Sequence, residues 1–246
     1  MTTSRGNRDD LPGTQQLLID MQGVRKVYGQ GDAGFEALRG IDLGIRQGEF
    51  LAIMGPSGSG KSTLMNLLGC LDRLSSGSYR YAGIAVERLN AVQRSLLRRY
   101  HLGFIFQGFN LLERTSALEN VELPLLYRGV KRAQRSSMAR GALAAVGLAG
   151  KEANSPSELS GGQQQRVAIA RAIVSNPTTL FADEPTGNLD SVTTAEIMNL
   201  LTHLNRERGI TILMVTHEDD VAAHAGRTIH VMDGLIDRDS ARNAGL

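Results

Sequence analysis

The stretch Gly55–Ser62 has the residue types and spacing of a phosphate-binding loop, with two glycines five positions apart followed by a lysine and a serine. Glycine adopts backbone conformations that other residues reach only at a cost in free energy, so the amides of this loop can converge on an anion. Lys61 would place a cation beside the β- and γ-phosphates, and the Ser62 hydroxyl would be a ligand for Mg²⁺. The predicted nucleotide contacts are Gly55, Ser57, Gly58, Ser59, Gly60, Lys61, Ser62 and Thr63.

The neighbours of this loop match what the motif needs. The apolar run Phe50–Met54 precedes it and the helix-like segment Thr63–Leu71 follows it. This strand–loop–helix order distinguishes a phosphate loop from a glycine- and serine-rich turn that matches by accident. The loop therefore predicts that the chain binds a nucleoside triphosphate at the start of a helix, where the helix dipole also favours an anion.

Three further apolar runs also end at polar groups. Residues 103–106 end at Gln107, residues 179–182 at Asp183 and Glu184, and residues 211–215 at Thr216 and His217. Short continuous apolar runs indicate strands that are buried on both faces, as in a parallel sheet. Ligands of such sheets bind beyond the carboxyl ends of the strands, so we predict that these polar side chains meet the phosphate loop in one site.

Asp183 and Glu184 are adjacent carboxylates at the predicted end of a buried strand. Successive strand residues project in opposite directions, so we assign the two side chains different roles. Asp183 would reach Mg²⁺, directly or through water, and Glu184 would face the γ-phosphate and polarise the attacking water. The alternative is a pair of strand-end carboxylates that cap a neighbouring helix.

The segment Leu159–Gln163 is a second glycine-rich motif. Ser160 and Gln163 have the spacing of a capping box, which predicts a helix from this point to Ile173. One interpretation is simply a well-capped helix. The other follows from Gly161 and Gly162, because two glycines in a first turn weaken the helix and permit close approach of a partner or an anion. A monomeric site does not need this second helix start.

The bulk composition is that of a soluble globular protein. The 246 residues are 41% hydrophobic and 21% charged, and the net charge of +2 indicates no concentrated basic face for nucleic acid. Residues 1–16 are polar without a signal-peptide core, and we interpret them as a disordered extension. Cys70 is the only cysteine, so no internal disulfide can form and a reducing compartment fits. We expect the Cys70 side chain to be buried and to pack as a small hydrophobic residue.

The pattern along the chain predicts an α/β fold. We expect a phosphate-loop NTPase core with a mostly parallel sheet, an N-terminal antiparallel β lobe and an inserted helical subdomain at about residues 89–165. In the N-terminal lobe, turns are predicted at Gln30-Gly31-Asp32 and at Arg39-Gly40. Near the end, Ile229–Met232 and Leu235-Ile236 predict a hairpin, and residues 237–246 are interpreted as a tail. One domain, residues 17–236, accounts for the rest.

No apolar run approaches the eighteen or so residues of a membrane-spanning helix, so any membrane role is expected to come through a partner. Two basic clusters stand out: Arg94, Arg98 and Arg99, and Arg128, Lys131, Arg132 and Arg135. We interpret them as solvated helical faces, with anionic headgroups or a membrane protein as the alternatives.

Taken together, the chain resembles the ATP-binding cassette (ABC) ATPases from about Leu17 to Ile236. The motifs that carry the resemblance, in the family's order, are Gly55–Ser62, Gln107, Leu159–Gln163, Phe181–Glu184, Gly187–Asp190 and His217. The Ser-Gly-Gly motif is the most specific of them, because general phosphate-loop ATPases lack it. Within the family the chain looks like the lipoprotein-release and macrolide-export branch, on the segments Met54–Asn66, Gly69–Asp72 and Asp183–Asp190.

The resemblance implies a role for each motif. Tyr28 would stack on adenine, Gln107 would sense Mg²⁺ and the attacking water, and His217 would contact the γ-phosphate. Ser160, Gly161 and Gly162 would contact the γ-phosphate bound by the other subunit, and Asp190 would reach across the dimer interface. Taken alone, Tyr28 is equally well a core aromatic, Gln107 a surface group and His217 a structural residue.

The resemblance also implies a catalytic set of Glu184, Lys61, Gln107 and His217, and Mg²⁺ ligands from Ser62, Gln107 and Asp183. Two ATP would lie between the subunits of a homodimer that drives separate integral membrane permease subunits from the cytoplasmic face of the membrane. The segment Phe109–Glu113 would meet the permease, unless it only packs between lobes. A soluble cassette acting on ribosomes or DNA, or a regulator of cell-wall enzymes, are the alternative functions.

Overall fold

The computed structural model describes residues 17–29 and 34–243, with side chains to residue 241. The predicted extension 1–16 and the predicted turn Gln30-Gly31-Asp32 lie outside the described residues. An antiparallel sheet forms the N-terminal lobe, in the order β2-β1-β4-β5. Its strands are β1 (Leu17–Tyr28), β2 (Phe35–Arg46), β4 (Ser76–Tyr81) and β5 (Ile84–Ala85). The predicted antiparallel β lobe is therefore confirmed.

The predicted turn at Arg39-Gly40 is wrong, because β2 continues through both residues. Arg39 pairs with Arg25 and Ile41 pairs with Val24, so Gly40 is an extra residue in the ladder. Gly40 has φ +116°, a conformation that favours glycine, and its place between two pairs is that of a β-bulge. A glycine inside a strand pattern marks a bulge as readily as a turn.

The second sheet has six strands in the order β10-β9-β3-β8-β7-β6. All neighbours are parallel except the hairpin pair β9 and β10. The strands are β3 (Phe50–Met54), β6 (Leu102–Phe106), β7 (Thr179–Asp183), β8 (Thr211–Val215), β9 (Arg227–Met232) and β10 (Leu235–Asp239). The mostly parallel sheet is as predicted, although β10 extends three residues beyond Ile236 into the predicted tail.

The extension of β10 has a clear physical cause. The guanidinium of Arg227 lies 2.7 Å from the Asp239 carboxylate and 2.8 Å from that of Glu49, and all three side chains are largely buried. A buried guanidinium needs such partners, since an unpaired buried charge is strongly unfavourable. The ion pair between Arg227 and Asp239 therefore holds the end of β10 against the sheet.

The register of the sheet brings the predicted site together. Phe106 pairs with Asp183, Asp183 with Val215, and Val215 with Ile53. The four strands consequently end at one level. The phosphate loop follows β3, His217 lies just beyond β8, Asp183 ends β7 with Glu184 after it, and Gln107 follows β6. The order in the sheet places β8 directly between the phosphate-loop strand and the carboxylate strand.

Helices cover both faces of this sheet, and two apolar clusters pack between the layers. The helices are α1 (Lys61–Leu68), α2 (Ala91–His101), α3 (Ala117–Tyr127), α4 (Arg132–Ala145), α5 (Gly161–Ile173), α6 (Ser191–Arg208), α7 (Asp219–Ala222) and α8 (Ser240–Asn243). Strand β6 belongs to the main sheet although it lies within the predicted helical range. Helices α3 and α4 therefore form the part of the insertion that stands apart from the sheet, and they pack on α5.

Helix α1 ends three residues before the predicted Leu71. Gly69 is its C-cap, and Cys70 then adopts a left-handed conformation with φ +56° that cannot continue the helix. The prediction of a buried Cys70 is confirmed, since only 1% of the residue is exposed. Burial raises the pKa of the Cys70 thiol to about 11, so the thiol is neutral and unreactive at physiological pH.

Candidate nucleotide-binding site

The loop between β3 and α1 is folded as a tight glycine-dependent cradle. Gly55, Gly58 and Gly60 have φ values of +143°, +77° and +107°. A Cβ on Gly55 would overlap the carbonyl oxygen of Val231, and one on Gly60 would lie 2.7 Å from the carbonyl oxygen of Ala37. The loop is therefore held against both the β9–β10 hairpin and the N-terminal lobe, with no room for a side chain at Gly55 or Gly60, whereas at Gly58 only the backbone conformation favours glycine.

The start of α1 has the features of an anion site. Gly60 is the N-cap, and no side chain of the described residues caps the first turn. The hydroxyl of Ser59 is buried and has no hydrogen-bond partner within the described chain. The Lys61 ammonium donates to the carbonyl oxygens of Gly55 and Pro56, at 2.7 and 2.8 Å, which holds it over the loop. Free amides, an unpaired hydroxyl and one cation in this arrangement fit a phosphate chain.

The cradle opens into a cavity of about 610 Å³, the size of a small-molecule site. Ten of the predicted site residues line this cavity: Gly55, Ser57, Gly58, Gly60, Lys61, Ser62, Thr63, Asp183, Glu184 and His217. Phe35 and Ala37 of β2, Pro56 of the loop and Val215 of β8 complete the wall. Nothing in the sequence near Phe35 indicates a site, because its place on the cavity depends on how β2 folds over the loop.

The two carboxylates are separated by a backbone turn. Asp183 is the last residue of β7, whereas Glu184 has left the strand and has φ +44°, a left-handed conformation that is unfavourable for a side chain with a Cβ. Its amide donates to the Val215 carbonyl at 3.0 Å. The argument from strand alternation therefore does not apply to Glu184, and the separate roles of the two carboxylates stay a prediction.

Burial and neighbouring charges distinguish these side chains. Desolvation, and then the charge of Glu184, raise the pKa of the Asp183 carboxyl, and Lys61 opposes the rise. A nearby cation would therefore favour the ionised form of Asp183. The other carboxylate contacts a histidine, with Glu184 Oε1 at 3.1 Å from His217 Nδ1. A group oriented by a histidine in this way can direct a water molecule.

The acidic residues suit Mg²⁺ more than a metal with a full protein cage. Within the described residues, no group of three or more His, Cys, Asp or Glu side chains could hold a metal ion. Mg²⁺ usually takes one or two protein ligands and completes its shell with water and substrate phosphates. Asp183 and Ser62, which both line the cavity, fit that pattern.

Tyr28 and Gln107 do not line the cavity. The Tyr28 hydroxyl donates to Asp72 at 2.9 Å, and its ring lies 4.6 Å from the Lys26 ammonium, with 40% of the residue exposed. Gln107 directly follows Phe106, the residue that pairs with Asp183, so it lies beside the carboxylates at the sheet edge. Its side-chain nitrogen would be only 2.7 Å from a Cβ on Gly187, so that glycine makes room for it.

The second glycine motif is also placed outside the cavity. The predicted capping box is present, since the Gln163 amide donates to Ser160 Oγ at 3.3 Å and the Ser160 amide donates to Gln163 Oε1 at 3.1 Å. Gly161 and Gly162 are only partly buried and do not have positive φ values. Gly162 instead makes room for Thr193, whose methyl group would overlap a Cβ.

Asp190 caps helix α6. Its carboxylate accepts hydrogen bonds from the amides of Val192 and Thr193 and from the Thr193 hydroxyl, at 3.1, 2.9 and 2.7 Å. The hydrogen bonds to Thr193 are the main reason why the pKa of the Asp190 carboxyl is lowered. This exposed carboxylate therefore begins α6 next to the second glycine motif.

The interpretation of the basic clusters as solvated faces is wrong for four of their members. Arg94 and Arg98 donate to the carbonyl oxygens of Leu89 and Cys70. Arg128 donates to three carbonyl oxygens at the ends of α2 and α5, and Arg135 forms an ion pair with Glu122 at 2.8 Å. The remaining members are exposed: Arg99, Lys131 and Arg132.

Comparison with known proteins identifies the family. Residues 38–187 match the family model for the ABC transporter. The chain is 51% identical over 225 residues to a macrolide export ATP-binding/permease protein, MacB, of Syntrophobacter fumaroxidans, and 51% identical over 227 residues to a pyoverdine export ATP-binding/permease protein, PvdT, of Pseudomonas aeruginosa. The chain therefore belongs to the ABC transporter family, and it is an ATP-hydrolysing cassette of that family. The resemblance to the macrolide-export branch is confirmed.

These alignments cover nearly the whole chain but only part of each relative. They span 91% and 92% of this chain, and 32% and 34% of MacB and PvdT, so the chain spans about a third of the length of the curated relatives it matches. Within the described residues, no helix is long and apolar enough to span a membrane.

Solved structures match the same architecture. Two dimeric structures of the ATP-binding cassette MJ0796, one of them in a post-hydrolysis state bound to ADP and Pi, are 44% identical to this chain with a TM-score of 0.81. The alignment covers 90% of this chain and 97% of the solved chain. The predicted phosphate-loop fold class is confirmed at this level of detail.

Proposed function

We propose that the chain binds MgATP at the 610 Å³ cavity, closes as a homodimer around two nucleotides, and drives an integral membrane permease of the export or lipoprotein-release type. The observation that carries this proposal is the placement of the two glycine motifs. One of them forms a cavity with the carboxylates, whereas the other begins α5 at the surface and lines no part of that cavity. A second subunit would bring the second motif to the nucleotide.

The residues of the cavity have complementary roles in this proposal. The amides of the loop and of the first turn of α1 would bind the phosphates, and Lys61 would move from the loop carbonyls to the β- and γ-phosphates. Glu184 would accept a hydrogen bond from the attacking water. His217 would orient the Glu184 carboxylate and would contact the γ-phosphate. Tyr28 would stack on adenine from the N-terminal lobe.

Mg²⁺ would be held by Ser62 and Asp183, with Gln107 approaching from the neighbouring strand end. The bound ion neutralises charge on the phosphates and polarises the γ-phosphoryl group. The raised pKa of Asp183 fits this role. Burial disfavours the ionised form of its carboxyl group, and a bound cation would stabilise that form. A change in the contact between Gln107 and the ion would move the loop that follows Gln107.

The dimer is supported by the arrangement around α5 and α6. Ser160, Gly161 and Gly162 would contact the γ-phosphate held by the partner subunit, and Asp190 would lie at the interface. The MJ0796 cassettes are described as dimeric. Binding would favour the closed dimer and hydrolysis would favour the open one, which is a population shift driven by differential affinity.

The proposed permease would meet the groove between α2, β6 and α3. This groove has a volume of about 620 Å³ and a mostly apolar lining that includes Phe104, Leu123 and Tyr127. Tyr127 is 67% exposed, and Asn110, from the segment Phe109–Glu113, also lines the groove. The curated relatives are ATP-binding/permease proteins, so a cassette and a permease occur together in them. The chain would then lie at the inner face of the cell membrane.

The test is affinity purification of the Glu184→Gln chain from detergent-solubilised membranes in MgATP, because a chain that binds without hydrolysis stays with its partner. We expect a polytopic membrane protein in stoichiometric amount. A Lys61→Ala, Glu184→Gln double variant is the matched control and should recover much less of it.

Two other results would contradict the proposal. Recovery of ribosomes or DNA without a membrane protein would favour a soluble cassette. Recovery of a membrane protein together with a cell-wall hydrolase, with no transport by the reconstituted complex, would favour a regulator.

A further inference from the structure

Helix α5 contributes a guanidinium to the loop that follows β6. Arg171 donates from its two terminal nitrogens to the carbonyl oxygens of Asn110 and Phe109, at 2.6 and 2.8 Å. The side chain is partly buried, and no carboxylate of the described residues lies within ion-pair distance of it. The positive charge is therefore satisfied by two backbone dipoles of a single loop.

That loop has an unfavourable backbone conformation. Phe109 and Asn110 are consecutive non-glycine residues with φ values of +60° and +50°. Asparagine adopts this left-handed region fairly readily, but an aromatic residue such as Phe109 does so only where surrounding contacts impose it. The Asn110 amide closes a tight turn onto the Gly108 carbonyl at 2.6 Å. Arg171 donates to the carbonyl oxygens of both left-handed residues, and the loop begins at Gln107.

A second side chain of α5 reaches the loop that follows β7 and begins at Glu184. This loop and the loop after β6, which begins at Gln107, are called the catalytic loops below. Gln165 is fully buried, and its Nε2 donates to the Pro185 carbonyl at 2.6 Å. Its Oε1 has no partner within the described chain, so the hydrogen bond to Pro185 is the polar contact that its burial rests on. Pro185 directly follows Glu184, which is itself held in a left-handed conformation.

We propose that Arg171 and Gln165 are positioning residues through which α5 sets the geometry of Gln107 and Glu184. Arg171 clamps the loop after Gln107, and Gln165 clamps the peptide after Glu184. Neither side chain lines the nucleotide cavity, so each acts on hydrolysis through the loop it holds. The inference rests on the proposed function in two respects, which are that Gln107 and Glu184 take part in hydrolysis and that a second subunit's nucleotide meets the start of α5.

The position of α5 gives this clamp a consequence for the dimer. The first turn of the same helix carries Ser160, Gly161 and Gly162, the residues proposed to meet the partner's nucleotide. A helix is a rigid element, so a shift at its N-terminus moves Gln165 and Arg171 with it. The orientation of one subunit's catalytic loops thereby depends on the fit of α5 against the other subunit's nucleotide.

The experiment compares Arg171→Lys with Arg166→Lys in the purified full chain, without membranes. Lysine keeps the charge but lacks the planar fork that reaches two carbonyls at once. Arg166 is a control on the same helix, because it donates to the carbonyl of Val146 and forms an ion pair with Glu196, both away from the catalytic loops. The readouts are kcat and KM for MgATP, affinity for a fluorescent ATP analogue, the melting temperature, and hydrogen exchange of residues 107–113.

For Arg171→Lys we expect kcat to fall at least tenfold, with nucleotide affinity and KM within twofold of the original chain. Exchange at residues 107–113 should accelerate at least tenfold while residues 55–62 keep their protection. Arg166→Lys should keep kcat and the exchange of both segments within twofold. Gln165→Leu, which removes the second clamp, should lower kcat with the same small effect on affinity.

An unchanged exchange rate at residues 107–113 in Arg171→Lys would overturn the clamp whatever the turnover. An equal loss of kcat and nucleotide affinity, or an equal loss in Arg166→Lys, would show a general structural role and would also overturn it. These readouts need no permease, so they separate failure of the clamp from failure of the proposed membrane partnership.

Discussion

Two helices in this chain begin in glycine-rich segments, and they are built in opposite ways. Before α1, Gly55, Gly58 and Gly60 all have positive φ, and no described side chain caps the first turn. Before α5, Ser160 and Gln163 close a capping box and the two glycines have no positive φ. The first start packs tightly against its own chain and lines a cavity, whereas the second lies outside that cavity with both glycines partly exposed.

Glycine therefore has a different role at the start of α1 and at the start of α5. In the first segment it permits a backbone that other residues would adopt only at a cost in free energy, and the loop is complete within one chain. In the second segment Gly162 makes room for the Thr193 methyl group, and Gly161 leaves space beside a helix end at which the capping box satisfies the Gln163 amide. The first start can bind an anion by itself, and the second is suited to approach by another molecule.

The largest expected effect is on hydrolysis, at the first segment. Glu184→Gln should lower the turnover of ATP by about 100-fold or more, because a general base contributes about 10²–10⁴ to the rate. Nucleotide should still bind, and dimers should accumulate in MgATP, as measured by phosphate release and by size-exclusion chromatography with light scattering. Glu207→Gln, at an exposed position of α6, is the control. Near-normal turnover would remove Glu184 from the mechanism.

Loss of the loop cation should come next. Lys61→Ala should weaken ATP binding by about tenfold or more, because a hydrogen bond to a charged group contributes about 1.5–3 kcal/mol and 1.4 kcal/mol corresponds to tenfold. Isothermal titration calorimetry would measure the change, with Lys151→Ala as an exposed control. An unchanged affinity would contradict the assignment of the phosphate loop.

A pair of alanine substitutions tests the contrast between the two glycine segments directly. Gly55→Ala should lower the melting temperature and abolish nucleotide binding, because its Cβ would overlap the Val231 carbonyl and the residue has φ +143°. Gly161→Ala should fold as well as the original chain, since its Cβ would be no closer than 3.5 Å to Leu189 and alanine favours a helix.

In the same pair, Gly161→Ala should retain nucleotide affinity in the monomer and lose turnover, because the added methyl group occupies the proposed approach of the partner's phosphate. Calorimetric unfolding and ATPase assays on both variants would measure this. The same changes in melting temperature, nucleotide affinity and turnover in both variants would contradict the proposed difference between the two glycine segments.

The smallest expected effects concern two aspartates whose pKa shifts have opposite signs. The folded-state pKa of Asp183 is raised above 3.8, so the folded chain holds this proton longer than the unfolded chain, and stability falls as pH rises through the raised pKa. Asp183→Asn should therefore slightly raise the melting temperature at pH 7 in the absence of Mg²⁺ and nucleotide.

The pKa of Asp190 is lowered below 3.8, so its stabilising contribution is present above that pH and is lost as pH falls through the folded-state pKa. Asp190→Asn keeps a capping side chain and should flatten this acid dependence. Thermal unfolding between pH 3 and 7 would check both aspartates, and the same pH slope in the two variants would show that the signs are misassigned.

Much of the site was predictable from short segments. The phosphate loop, the capping box and the four apolar runs each depend on residues close in sequence, where glycine conformation, capping and hydrophobic period act locally. Parallel strands bring their carboxyl ends to one edge, so the meeting of Lys61, Asp183 and His217 followed without knowledge of the register.

Predictions failed where a local pattern has more than one structural solution. Gly40 allowed a turn or a bulge, and pairing with β1 decided for the bulge. Glu184 continued a strand pattern, yet hydrogen bonding to β8 turned its backbone out of the strand. Four arginines of the basic clusters are not solvated as predicted, because no sequence signal shows that a carbonyl or carboxylate oxygen lies within reach of a guanidinium.

The sequence by itself determined that this chain has a phosphate loop, adjacent carboxylates and a second glycine-rich helix start, because these depend on residue type and short-range spacing. Only the tertiary structure decided which of them share a cavity and which face solvent. It also decided that Arg171 and Gln165 of α5 hold loops 61 and 20 residues away. Contacts over such separations follow from how sheets and helices pack, and packing is a property of the whole chain.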